Sequence, residues 1–281
     1  MADDQRTGEH QGETGGTADA LSAAAARTAA LLRAVRDPAA AVPSLTWNVA
    51  ETAVHLLGEL QDYTSLVTGE RDVSGYFNPK AGEQTPAQRG ADANARALDQ
   101  ITERDLPTLA GLITDEASRF IRASAQCRAD ARFLTSNGIA MSVPVMTAAL
   151  LGEQVIHGLD IARASGTHWP ISRHDALAVI DGVMAMVPDY IDRQRAAGKH
   201  VTYELRFRGG PTYWLRIDDG SAALGKPGGR ADCWISADPV AFLLVGHGRV
   251  GQWGQILRGK LVAGGRAPWH GFAFGALITN P

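Results

Sequence analysis

The sequence predicts an α+β chain, helical to about residue 197 and mixed beyond it. Three observations carry this. Before Lys199, apolar residues recur at a helical period in several long segments. From Val201 the pattern changes to alternation, in Val201-Thr-Tyr-Glu-Leu-Arg-Phe-Arg208 and Thr212-Tyr-Trp-Leu-Arg-Ile217, the period of half-buried strands. Gly209-Gly-Pro211 between these runs supplies a hairpin turn. The organisation expected is a disordered acidic tail at 1–17, a helical domain at 18–197 and a small α+β domain at 198–281.

Composition excludes several classes. A net charge of −3 gives no basic field for nucleic acid or a membrane surface. No run approaches the roughly 18 apolar residues of a membrane span, and the first residues lack the basic-then-apolar pattern of a secretory signal. Two cysteines, Cys127 and Cys233, make neither a disulfide framework nor a metal-binding cysteine cluster. The expected setting is cytoplasmic.

Residues 18–36 are alanine-rich with Leu21, Leu31, Leu32 and Val35, a strong helix signal ended by Asp37-Pro38. Asn48 followed by Glu51 forms a capping-box pattern for a second helix, which runs to about Gly69 and carries His55. Residues 70–90 form a long polar connection, either simply a mobile loop or a lid in which Tyr76 and Phe77 cover a site. Helix returns from Thr85-Pro86 to about Cys127, divided near Asp105-Leu-Pro107, where proline suits a first turn. A connection centred on Asn137-Gly138 leads to a helix opening at Val143-Pro144 and stopped by Gly166. One further helix is expected from Ser172 to about Arg195. Past the hairpin, residues 231–237 read as a third strand, Asp238-Pro239 as the start of a short helix to Gly246, and Pro268 to Ile278 as a last helical segment.

The chemistry concentrates in Leu150-Leu-Gly-Glu-Gln-Val-Ile-His-Gly-Leu-Asp160. In a helix, Glu153, His157 and Asp160 share one stripe, in line with Met146, Ala149 and Leu150. A carboxylate on such an apolar stripe needs a partner. Glu153 and His157 at i, i+4 match the way one helix gives two ligands to one metal, and His55 is the natural third. Taken alone, the spacing is met more often by His55 and His157 at helix–helix contacts, with Glu153 paired to an arginine such as Arg163 or Arg122.

Trp47-Asn48-x-x-Glu51-x-x-x-His55-Leu56 resembles the start of the metal-binding domain of mycothiol-dependent maleylpyruvate isomerases, within the wider DinB-like four-helix thiol-transferase superfamily. Glu153-Gln-Val-Ile-His157-Gly158-Leu159-Asp160 is similar to that family's second signature. The run Ala231-Asp-x-x-Ile235-Ser-Ala-Asp-Pro239, with Gly248-Arg249, Trp253 and Gly259-Lys260-Leu261, resembles the sterol-carrier-like domain often attached there.

The resemblance implies a DinB-like four-helix bundle followed by a small α+β sterol-carrier-like domain. It implies His55, Glu153 and His157 as ligands of one divalent metal, most often zinc. Asp160 would orient His157 or a nearby arginine, with a plain salt bridge as its alternative. Arg249, or in second place Arg266, would bind an anionic substrate. The thiol cosubstrate implied is mycothiol, held as a metal-bound thiolate for attack on a small electrophile. S-transfer or thiol exchange is favoured because the C-terminal domain is longer than in compact isomerases. A cis–trans isomerase of maleylpyruvate type is the alternative, and a non-catalytic ligand-binding or regulatory protein is the alternative of another class. Monomer and homodimer both stay open.

Overall fold

A computed structural model describes residues 4–70, 84–225 and 229–279. The chain forms two compact units, Met1–Gln84 with Gln88–Ile171, and Thr85–Ala87 with Ser172–Pro281. Tyr76 and Phe77, read as part of a mobile loop or a lid, lie outside the described residues.

The first unit is built from α1 (Asp4–Ala34), α2 (Val49–Thr68), α3 (Pro86–Gln100), α4 (Leu106–Ser124) and α5 (Val143–Ser165). α1 and α2 each pack against both α4 and α5, so four helices close a bundle. Its interior holds Leu21, Leu32, Leu56, Leu60, Leu109, Phe120, Met146 and Leu150, all at 0% exposure. α2 starts on a reciprocal capping box: the Glu51 amide donates to Asn48 Oδ1 (2.9 Å) and the Asn48 amide to Glu51 Oε2 (2.8 Å). It stops at Gly69, whose φ of 70° is the left-handed conformation glycine adopts without strain. α3 approaches α2 closely at Gly58, where a Cβ would sit 2.9 Å from that of Ala97. A short hairpin, β1 (Arg132–Leu134) with β2 (Ala140–Ser142), turns over Asn137-Gly138.

The second unit contains α6 (Arg173–Met186), a 3-10 turn at Val187–Tyr190, α7 (Arg193–Ala196) and a five-stranded sheet. The strands are β3 (His200–Phe207), β4 (Thr212–Asp218), β5 (Ser221–Leu224), β6 (Cys233–Ala237) and β7 (Leu261–Gly265), in the order β5-β4-β3-β6-β7. β3 and β6 run parallel, with Leu205 opposite Ile235; the other neighbours are antiparallel. Helices α8 (Pro239–Gly246), α9 (Gln252–Leu257) and α10 (Trp269–Ala273) and a 3-10 turn at Phe274–Leu277 complete it. Tyr203, Leu205, Phe207, Leu215, Ile217 and Ile235 from the sheet form one core with Ile180 and Met184 of α6 and Phe274.

The chain is therefore α+β as expected, with four differences of detail. The unit division falls near 171 rather than 197, because the apolar face of α6 belongs to the sheet's core. Backbone helix reaches back to Asp4 through the stretch expected to be a disordered tail. The helix expected over 172–195 breaks after Met186, because Pro188 has no N–H to continue the ladder. β5 and β7 add two strands to those expected, and both are short edge strands. The turn into β5 is Asp219-Gly220, with φ of 45° and 80°, a hairpin signal legible in the sequence. No described helix is long and apolar enough to cross a membrane.

Candidate metal centre

Glu153 and His157 lie one turn apart on α5, and His55 lies on α2, which packs against it. The structure brings the three together across the bundle. His55 Nε2 is 3.0 Å from Glu153 Oε2, and His157 Nε2 is 3.1 Å from the same oxygen. Their ligating atoms all lie within 4.8 Å of one another. The rings meet edge to face, with centroids 4.8 Å apart. The histidine side chains are 5% and 11% exposed but Glu153 keeps 32%, so the cluster is walled on the imidazole side and open on the carboxylate side.

Each imidazole has its other nitrogen held. His157 Nδ1 is 3.0 Å from Asp160 Oδ2, and Asp160 is fully buried. His55 Nδ1 is 3.1 Å from Asn94 Oδ1 on α3. An Nδ1–H given to an oxygen leaves the Nε2 lone pair for a cation, the usual arrangement behind ligand histidines. Trp47 packs beside both rings, at 5.0 Å from His55 and 6.5 Å from His157.

The electrostatics differ between the two histidines. Burial alone would depress both. At His157 the outcome reverses: hydrogen bonds to Asp160 and Glu153 outweigh burial and raise its pKa to about 9. At His55, with one carboxylate and the neutral Asn94 amide, burial prevails and the pKa is lowered. Burial would also raise Glu153, yet hydrogen bonds to His157 and His55 hold it well below the usual carboxylate range. Glu59, one turn beyond His55, is pushed up to about 8 by burial and by the charges of Glu153 and Asp62.

Two nitrogens, one carboxylate oxygen and an open side form a donor set suited to a divalent cation with one position left for a ligand. The residues present fit such an ion. Glu153, expected to pair with the histidines through a metal or with Arg163 or Arg122, is engaged by the two histidines. Arg249 and Arg266 lie in the second unit: an Arg249 guanidinium N–H donates to the His247 carbonyl (2.6 Å), and Arg266 pairs with Asp232. Asn94 is a site residue that the sequence does not single out, because it sits on a polar helix with no local signal of a role. Glu59 was within reach, since it shares the His55 stripe at i+4.

Fold and site together define a helical-bundle protein with a two-histidine, one-carboxylate centre, joined to an α+β unit. The family described as the mycothiol maleylpyruvate isomerase N-terminal domain matches residues 21–162, half of the chain, and the chain belongs to that family. Among solved structures, one described as the mycothiol-dependent maleylpyruvate isomerase is similar at a TM-score of 0.53 and 13% identity, covering 89% of this chain and 92% of that one. A histidine-to-alanine variant of that isomerase is similar at 0.54 and 12%, with the same coverage. At these identities the likeness establishes the fold. No curated protein matches the sequence.

Proposed function

We propose that the chain is a metal-dependent enzyme that uses mycothiol against a small electrophilic substrate. The observation that carries this is the convergence of His55 Nε2, His157 Nε2 and Glu153 Oε2, each histidine anchored from behind, in a chain of this family. A divalent cation held there, zinc being the first candidate, supplies the charge that keeps a thiol ionised at neutral pH. His55 and His157 fix the direction of approach, because Asn94 and Asp160 allow their rings one orientation. Trp47 shields the imidazole side from water. Glu59, held neutral up to about pH 8, adds no second negative charge beside Glu153.

The thiolate sulfur forms a C–S bond to the electrophilic carbon while the π electrons move onto the conjugated carbonyl. If the bond persists and the carbon next to the carbonyl takes up a proton, the outcome is S-transfer. If rotation precedes return of the electron pair and cleavage of the C–S bond, the outcome is cis–trans isomerisation. The extended second domain no longer favours S-transfer, since a maleylpyruvate isomerase fold spans 89% of this chain. The isomerase reading is favoured on that observation.

The test uses tag-free protein. Metal analysis should find about one divalent ion per chain, lost in His55→Ala. Incubation with mycothiol and maleylpyruvate, followed by mass spectrometry and chromatography, should show an isomer of unchanged mass; a mass gain equal to mycothiol would instead assign S-transfer. Absence of metal, or of any thiol-dependent change with a panel of unsaturated acids and epoxides, overturns the proposal in favour of a binding protein.

A further inference from the structure

Charge is unevenly spread along the second unit. Residues 239–281 contain Arg249, Arg258, Lys260 and Arg266 and no Asp or Glu, although the whole chain carries a net charge of −3. Arg266 shares Asp232, but Arg258 and Lys260 are exposed and pair with no carboxylate among the described residues. The same region exposes large apolar side chains. On α9, Trp253 and Leu257 lie one turn apart, 60% and 88% exposed; on α10, Trp269 and Phe272 are 62% and 43% exposed, three residues apart. The Trp253 ring stacks on Phe272 at 5.6 Å, and Gln252 Nε2 donates to the Phe272 carbonyl (3.4 Å), so the two helices present one surface. Single apolar residues on a surface are ordinary; a joined group of large ones marks a binding face.

Charge decides which occupant fits. A second copy would set the same cations against themselves. The edge strand β7 is flanked by Lys260 and Arg266, and antiparallel pairing of two such edges would bring Lys260 of one copy toward Arg266 of the other. A surface of anionic lipid answers both halves of the patch. Leu and Phe enter the acyl boundary, indoles settle at the headgroup level, and Arg and Lys meet the lipid phosphates. A soluble acidic partner matches the charge alone. Protein interfaces draw their energy from anchors seated in pockets and seldom from leucine, whereas Leu257 stands out beside Trp253 and Arg258 as the side chains of interfacial helices do.

We propose that the α9–α10 face docks the second unit on an anionic lipid surface. Trp253, Leu257, Trp269 and Phe272 enter the interface, and Arg258 and Lys260 lie at the headgroups. No described helix spans a membrane, so the association is peripheral and reversible. It is independent of the metal-centre reading, and its test requires neither metal nor thiol. The full chain is mixed with vesicles of phosphatidylcholine, alone or with roughly one-third phosphatidylglycerol, and bound protein is separated by flotation. It should float with the anionic vesicles and not with the neutral ones, and binding should fall as salt is raised. Leu257→Ser, at a position with little packing to lose, should weaken binding by about tenfold. Arg258→Glu combined with Lys260→Glu should do the same by about tenfold or more. Secondary structure and thermal unfolding should be unchanged in both. No flotation with anionic vesicles at low salt would overturn the proposal, as would equal binding to neutral vesicles or native-like binding by both folded variants. Polyglutamate bound as tightly as the anionic vesicles, with Leu257→Ser unaffected, would replace the bilayer by an acidic protein. A dimer in sedimentation velocity that Leu257→Ser dissociates would replace it by a second copy.

Discussion

At Glu153 two histidines meet one carboxylate, and what lies behind each ring decides its behaviour. His157 backs onto the buried carboxylate of Asp160, His55 onto the amide of Asn94. Asp160→Asn should therefore lower metal affinity by roughly 10–100-fold with the fold intact, read by competition with a chelating indicator; an unchanged affinity would reduce Asp160 to a structural ion pair. The pH dependence has a definite sign. His157 is raised from 6.5 to about 9, so in the metal-free protein its proton contributes stability that is fully present below 6.5 and lost as pH rises through about 9. A cation must displace that proton from Nε2. Apparent metal affinity should therefore rise about tenfold per pH unit up to about 9 and then level off. A flat profile from pH 6 to 9 would show that the proton is not held there.

At the scale of the element, α5 must carry three ionisable side chains and still pack. Gly158 makes this possible. A Cβ there would meet the Trp169 ring at 2.2 Å. The indole has little freedom to yield, since its Nε1–H donates to the Val155 carbonyl (3.0 Å) and Arg27 lies over its face at 4.9 Å. Gly158→Ala should cost about 1–3 kcal/mol, measured by chemical unfolding, and should weaken metal binding although no ligand is changed. A loss under about 0.5 kcal/mol would mean that Trp169 relocates freely. At the start of α2, Asn48→Ala removes the cap that begins the His55 helix and should cost about 1 kcal/mol, by the same measurement.

At the scale of the whole molecule, the chain has two cores, one in each compact unit. A cation bound at the cluster stabilises the unit that holds it. Hydrogen exchange should slow across α2 and α5 on adding metal, with β3 and β6 unaffected in the second unit. Equal slowing in both units would show that they unfold as one. Much of this organisation was legible. The capping box, the proline at the head of α4 and the glycine stop of α5 act within a turn of chain, and each lies where its residues place it. The edge strands β5 and β7 were not, the Asp219-Gly220 turn into β5 apart, because a short strand is defined by its neighbour more than by its own pattern.

The sequence by itself determined the α+β class, the stripe of Glu153, His157 and Asp160, and the family motifs, because helical periodicity and capping depend on residues three or four apart. Tertiary structure alone decided that His55 reaches Glu153 across 98 residues, that Asn94 anchors it, and that α6 closes the second core rather than the first. Those choices rest on which apolar faces bury each other, and the cost of closing long loops is recovered only when the whole core has formed.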